Sequence, residues 1–204
     1  SGYSDLTYSQ FINQSGYANR GVAYVGANDG MLHAFFLGNL KQKWSGQGTY
    51  EKALLDGGDY AKELWAFIPK NALPYLRYLP EQDYCHLYSV DASTSLVDAS
   101  INGNPDDDKT VTSWKTILIG GMGLGGACRN LATSCTNCIK TPATDLGYSS
   151  YFAIDVTDPN NPVLLWEFSD PELGMSTSGP AIIRQGDIFK NGRWFVVFAS
   201  GPTG

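Results

Sequence analysis

Twice in this chain a strand-like stretch returns, after a turn or an insertion, to a second stretch that ends on Leu-Trp-x-Phe: "LWAF" at 64–67 and "LWEF" at 165–168. The stretches that lead into them, "GVAYVGANDGMLHAFF" (21–36) and "SSYFAIDVTDPNNP" (149–162), are rich in β-branched and aromatic residues and carry Asn-Asp-Gly and Pro-Asn turn signals. A third start, "SGPAIIRQGDIFKNGRWFVVFASG" (178–201), reads as two strands around a polar "NGR" turn. When one small antiparallel sheet is written repeatedly, an aromatic fixed at a strand end is buried by packing against the next copy. Trp65, Phe67, Trp166 and Phe168 are therefore predicted to pack one sheet on another, with Trp65 and Trp166 at equivalent stations.

The fold class that follows is all-β: a partial β-propeller of the first two to three four-stranded antiparallel blades, with long loop insertions. The echoes "AYVG", "ILIG" and "VVFA" are spaced more widely than the ~40–50 residues of a compact blade. Insertions at 38–61 and 70–84, and a cysteine-bearing loop, take up the excess. A β-sandwich uses the same strands and turns and stands as the alternative. Residues 1–20 read as a lead-in segment with one short helix around "YSQFI", and 21–204 as the propeller part. Within it, "YEKALL" (50–55) reads as a helical turn, "KELWAFIPK" as a strand, and "LPYLRYL" as a turn of helix interrupted by prolines. "HLYSVDASTSLVDASI" gives two short strands, and "SWKTILIGGMGLGG" gives one that runs into a glycine-rich loop.

Charged residues are only 17% of the 204 while aromatics reach 13%, which describes a chain that folds around a core. A net charge of −6 offers no basic stripe to release counterions from a phosphate backbone, so nucleic acid is not an expected partner. No apolar run approaches the ~20 residues that cross a bilayer as a helix. The chain opens at Ser1 without the charged and apolar regions of a signal peptide, and is read as processed or cut from something longer.

Four cysteines, Cys85, Cys128, Cys135 and Cys138, are candidates for structural disulfides, with three pairings open. The last three crowd into the polar loop "GGACRNLATSCTNCIK", where an oxidising compartment accounts for them best. Zinc is the rival, because "CTNC" has ligand spacing; a closed site then takes its fourth ligand from Cys85, His86 or His33. Ile139 after Cys138 excludes a covalent haem motif.

Other motifs are weighed against plainer roles. His33 and His86 lie inside strand-like stretches without a placed catalytic partner, and read as structural imidazoles hydrogen-bonded to backbone. In "INGNPDDDKT" (101–110), Asn102, Asn104, Asp106 and Asp108 alternate somewhat like a calcium loop. The glycine at the sixth place and the later bidentate Glu are missing, so a solvated hairpin tip is expected. "GGMGLGGAC" is followed by no helix signature and reads as a blade-edge loop, not a phosphate cradle. Asp155 and Asp158 are turn formers. No catalytic, cofactor-binding or metal residue is assigned.

Six phrases in order, "YVGANDGMLHAF", "KELWAFIPKNALPYLRYL", "YCHLYSVDAS", "WKTILIGG", "YFAIDVTDPNNPVLLWEF" and "GPAIIR", resemble the propeller domain of the PilY/PilC family of type IV pilus biogenesis and tip proteins. The resemblance runs from about Tyr8 to Gly201. It implies a non-enzymatic, extracytoplasmic segment (periplasm, outer membrane, cell surface or pilus tip) that serves pilus assembly, retraction control and adhesion. Its implied partners are other parts of the same polypeptide or a completing chain, minor pilins or the pilus tip, and a host or surface ligand. The family's calcium loop lies in a later part of its domain and has no counterpart here, so no cofactor is expected in this segment. Blades ending in Leu-Trp-x-Phe also resemble those of quinone (PQQ)-dependent dehydrogenases, which form an alternative reading. A secreted carbohydrate-binding module, with Trp44 and Tyr50 as platform, is a second alternative.

Overall fold

A computed structural model describes residues 4–44, 50–82, 84–128 and 142–203. The described chain is all-β apart from two short helices at its start and two 3-10 turns. Helix α1 (Leu6–Ile12) begins where Asp5 can cap it: the carboxylate accepts from Thr7 N at 2.8 Å and Tyr8 N at 3.3 Å. Helix α2 (Ser15–Ala18) follows. The lead-in thus holds two helical turns where the sequence marked one.

The first sheet contains β1 (Gly21–Gly26), β2 (Leu32–Trp44) and β4 (Glu63–Phe67), with β2 between the other two. The Asn-Asp-Gly signal forms the hairpin tip as a loop of three residues. Ala27 N donates to Met31 O at 2.9 Å, closing a three-residue loop in which only Gly30 takes a left-handed φ, of 98°. Asp29 accepts from Met31 N at 3.0 Å, so the aspartate and the glycine form the tip together. The insertion read at 38–61 is itself strand: β2 continues to Trp44 and pairs with β3 (Tyr50–Asp56) in an antiparallel ribbon. "YEKALL" is strand and not helix. Cross-strand pairing satisfies the backbone along the whole segment, which outweighs the small helix propensity of Glu, Lys, Ala and Leu.

The second sheet is four-stranded, in the order β6 (Ser95–Ser100), β7 (Trp114–Gly121), β9 (Tyr151–Asp155), β10 (Val163–Phe168). The third is the pair β11 (Ala181–Gln185) and β12 (Arg193–Val197). Their connection runs from Gly186 to Gly192, longer than the "NGR" turn read from sequence. A two-residue ladder, β5 (Leu87–Tyr88) with β8 (Ala127–Cys128), closes off the side of the stack beside a 3-10 turn at Leu73–Tyr78.

The three sheets are stacked face to face, and strand β9 shows why. All five of its residues are buried, as expected of a strand covered on both faces. Phe152 and Ile154 face a cluster with Leu32, Val90, Leu118 and Val156, against which Trp65 and Phe67 of the first sheet pack. Ala153, one residue out of phase, faces a second cluster with Ala99, Ile117 and Ile119, against which Trp166, Ile182, Trp194 and Val196 pack. Alternation along one strand therefore builds both inter-sheet cores. This is a blade stack, with side chains between sheets, and not a single two-layer sandwich.

Candidate interaction surfaces

Five regions of the stack carry polar or exposed groups that the core does not account for. The lead-in helices are the first. Asp98, mostly buried on β6, accepts from Tyr8 Oη at 3.0 Å and Tyr17 Oη at 2.7 Å through Oδ2, and from Thr116 Oγ1 at 2.6 Å through Oδ1. Arg20 adds bonds to Thr116 Oγ1 at 2.9 Å and Thr157 O at 3.3 Å, and its guanidinium lies 4.1 Å from the Tyr17 ring centre. Burial, and then the hydrogen bond to the Asp98 carboxylate, push both phenols above their ordinary pKa, so they stay protonated donors. Two helical turns are clasped to the middle sheet by one carboxylate. Sequence reasoning missed it; the signal was an aspartate inside the otherwise apolar and small "SLVDAS".

The second is the cysteine region. Cys85 and Cys128 form a disulfide with Cα atoms 5.7 Å apart, packed with Tyr75 and Leu87. Joined to each other, they offer no thiolate to zinc. Cys135, Cys138 and most of the loop at 127–141 lie outside the described residues, as do the side chains of Trp44 and Tyr50. The glycines before Cys128 serve close approach: at Gly125, with φ of 61°, an added Cβ would stand 1.9 Å from Tyr148 O.

The third is the loop between β6 and β7. It is a largely exposed hairpin tip, as expected, and it is also docked through its backbone onto the third sheet. Asn191 N donates to Asp107 O at 3.0 Å and Gly192 N to Pro105 O at 2.8 Å, while Asn191 Nδ2 donates to Asn104 O at 2.9 Å. Lys190 pairs with Asp108 at 2.7 Å, and Lys109 pairs with the helix cap Asp5. This loop fastens the middle sheet to the third sheet and to the lead-in. Asn102 bonds Thr112 O, and Asn104 bonds Asp107, so these two of the alternating side chains, with Asp108 on Lys190, are engaged in loop geometry. Asp155 and Asp158 act as turn formers: Asp155 accepts from Thr157 N at 2.9 Å and Asp158 from Asn160 N at 3.0 Å.

The histidines are the fourth. Neither is held by backbone, as the sequence reading had it. His33 bridges two carboxylates, Glu63 at 2.6 Å through Nδ1 and Asp29 at 2.9 Å through Nε2. An ionised carboxylate only accepts, so the protonated ring, with both nitrogens donating, is the form that this bridge favours. The hydrogen bond to Glu63 leads the rise in its pKa, against a smaller opposing effect of burial. His86 Nε2 lies 3.1 Å from Asn28 Nδ2, and its ring meets Tyr88 edge-on. Among the described residues no three of His, Cys, Asp and Glu converge as metal ligands.

Among the described residues, the outer face of the third sheet is exposed and apolar except for Gln185 and Arg193 at one end. Ile183, Phe195 and Val197 are 51%, 44% and 48% exposed, while their neighbours Ile182, Trp194 and Val196 fill the second core. Of the predicted packing aromatics, Trp65 and Phe67 lie against the first core and Trp166 against the second, but Phe168 joins neither: it is 42% exposed at the strand end and meets only the rim ring of Phe198, centres 5.5 Å apart.

Residues 3–204 match the family model for the PilY1 β-propeller domain. Two relatives, both type IV pilus biogenesis factor PilY1 homologs from Xylella fastidiosa, are 32% and 30% identical over 96% of this chain. Type IV pilus biogenesis factor PilY1 of Pseudomonas aeruginosa is 32% identical over 87% of it. The chain spans only 10–12% of the length of these relatives. Among solved structures, the crystal structure of the Pseudomonas aeruginosa PilY1 C-terminal domain matches with a TM-score of 0.50 and 29% identity, over 94% of this chain and 26% of that one. No described helix is long and apolar enough to cross a membrane.

Proposed function

The chain belongs to the PilY1 β-propeller family, and on that premise we propose that it is a non-enzymatic scaffold segment of an exported type IV pilus biogenesis factor. The observation that carries this reading is the match of residues 3–204 to one family model, together with the similarity in sequence and fold to a solved PilY1 domain. The stacked sheets are the rigid part; their loops and the open face of the third sheet are the parts available for contact. Partners are other regions of the same polypeptide and pilus components, with adhesion to a surface as a further role.

Two features support the reading. A disulfide between Cys85 and Cys128 suits an oxidising, extracytoplasmic compartment. Both histidines are engaged by Asp29, Glu63 and Asn28 in ways that brace loops, so we assign the segment no catalytic residue and no cofactor of its own. The dehydrogenase and carbohydrate-module alternatives draw no support from the family match.

An in-frame deletion of residues 21–204 from the chromosomal gene tests this. Surface pili counted by electron microscopy should fall to near zero. A normal pilus count with normal twitching contradicts the biogenesis role. Attachment scored per remaining pilus separates adhesion from assembly.

A further inference from the structure

At one end of the strands the lead-in meets two connections of the stack. Lys109, in the β6–β7 connection, pairs with the helix cap Asp5, and its backbone N–H donates to Phe189 O in the β11–β12 connection at 2.9 Å. Between these elements opens a groove of about 650 Å³ whose walls include Leu6, Trp114, Arg184, Ile188, Phe189 and Trp194. Trp114 forms its buried side: it is 2% exposed, donates from Nε1 to Thr7 Oγ1 at 2.9 Å and meets Trp194 edge-on. The rim is the opposite, with Leu6, Ile188 and Phe189 at 74%, 68% and 73% exposed.

That rim is braced. Asp187 accepts from Phe189 N at 2.8 Å, and Lys190 N returns to Asp187 O at 3.1 Å. Arg184 ties the same turn through the carbonyls of Asp187, Lys190 and Asn191. Two large apolar side chains are thus held in water by a fixed turn, facing a third on α1 across a groove floored by tryptophan. Scattered surface apolars do not converge in this way, whereas docking surfaces do. The Arg184 guanidinium also lines the groove, and among the described residues its hydrogen bonds go to carbonyls and none to a carboxylate. A complementary occupant brings apolar side chains and an anion. A further blade would stack on the face that bears Ile183, Phe195 and Val197, whereas this groove lies at the strand ends, so an added blade does not fill it.

We propose that the stretch of the same polypeptide leading into residue 4 occupies this groove, with apolar side chains between Leu6 and Phe189 and a carboxylate on Arg184. Two observations choose that occupant. Ser4 itself lines the groove beside the first turn of α1, so backbone arriving at Ser4 reaches it along the rim. In Pseudomonas aeruginosa PilY1 the matching region is 11% of the whole protein but 26% of the solved C-terminal domain, so a long polypeptide leads into that domain. A segment joined to its own groove docks at high effective concentration, which lets a shallow apolar site hold it. The proposal rests on the family reading above, but it is read on purified protein and needs no pilus, so the two fail separately.

The test uses the full polypeptide as the cell makes it. Ile188 is replaced by the photo-cross-linker p-benzoylphenylalanine in a mixture of isotopically light and heavy protein. The expected adduct joins that position to the stretch leading into residue 4 of the same isotopic chain. In Phe189→Glu, where the native side chain is exposed and the sheets keep their fold, proteolytic cleavage of that stretch should rise by about tenfold or more. The amides of β7 and β9 should keep their protection in the same variant. Cleavage at the native rate overturns the proposal. So does an adduct to a second chain, to a pilus protein or to any other part of the same chain, and so does the absence of an adduct.

Discussion

Trp65 and Trp166 occupy the same station in successive sheets. Each stands opposite an alanine of the neighbouring strand, Ala34 for the first and Ala153 for the second, and each turns its indole onto the buried cluster that joins its sheet to the next. Trp65 also donates from Nε1 to Pro159 O, 2.8 Å away in the β9–β10 turn of the following sheet. Sheet follows sheet because the indole of one is covered by the strands of the next.

Replacing either indole should therefore cost the stack a comparable amount. Trp65→Ala and Trp166→Ala are each expected to destabilise by about 3 kcal/mol, the lower end for large aromatics because both rings are only partly buried. Urea unfolding of the two variants checks this. A loss at one site with no effect at the other removes the equivalence.

The Asp98 clasp makes a local prediction. In Asp98→Ala, the phenols of Tyr8 and Tyr17 lose their shared acceptor. Hydrogen bonds to a charged group contribute about 1.5–3 kcal/mol each, so the lead-in should detach before the sheets unfold. Limited proteolysis should cut within residues 4–20 at least tenfold faster, an approximate figure for a loss of that size, while the β7 and β9 amides keep their protection. Unchanged cleavage would mean that α1 is held by other contacts.

His33 gives the first sheet a pH dependence. Its pKa is raised by Glu63 and Asp29, so the folded state binds the imidazole proton more tightly than the unfolded state. The sign follows: the stabilisation is complete below the unfolded pKa of about 6.5 and disappears as pH rises through the higher folded value. Unfolding midpoints should fall over that window in the native protein, and His33→Gln should flatten the slope. A midpoint that rises across the same range contradicts the two-carboxylate bridge.

The disulfide closes a sequence separation of 43 residues between Cys85 and Cys128. A cross-link of that span is worth about 4 kcal/mol in the chain-entropy account. Cys85→Ser should lower the unfolding midpoint accordingly and abolish the effect of added reductant attributable to this pair. If native protein and variant respond identically to reductant, the pairing is wrong.

Much of this architecture was legible because its cause is local. Strand-forming stretches, turn residues and the repeated Leu-Trp-x-Phe are properties of neighbours in sequence, and they predicted β1, β4, β9 and β10 and the role of both tryptophans. What failed failed for reasons of distance. The chain at 50–55 has helix-forming residues and becomes β3 because β2 lies alongside it. The loop at 101–110 is solvated as read, but its anchorage was not legible because its partners, Lys190, Asn191 and Gly192, lie some eighty residues further on. His33 pairs with Glu63 across thirty residues, which no spacing rule announces.

The amino-acid sequence by itself determined the class of fold, the unit that repeats, the aromatic that seals each unit and the family. These rest on backbone propensity and side-chain alternation, which act over a few residues. Tertiary structure alone decided that Asp98 gathers Tyr8 and Tyr17, that Cys85 meets Cys128, and that the loop at 101–110 is fastened to Lys190 and Asn191. Those outcomes depend on which distant strands are brought within bonding range, and a hydrogen bond or a packed side chain forms between neighbours in space whatever their separation along the chain.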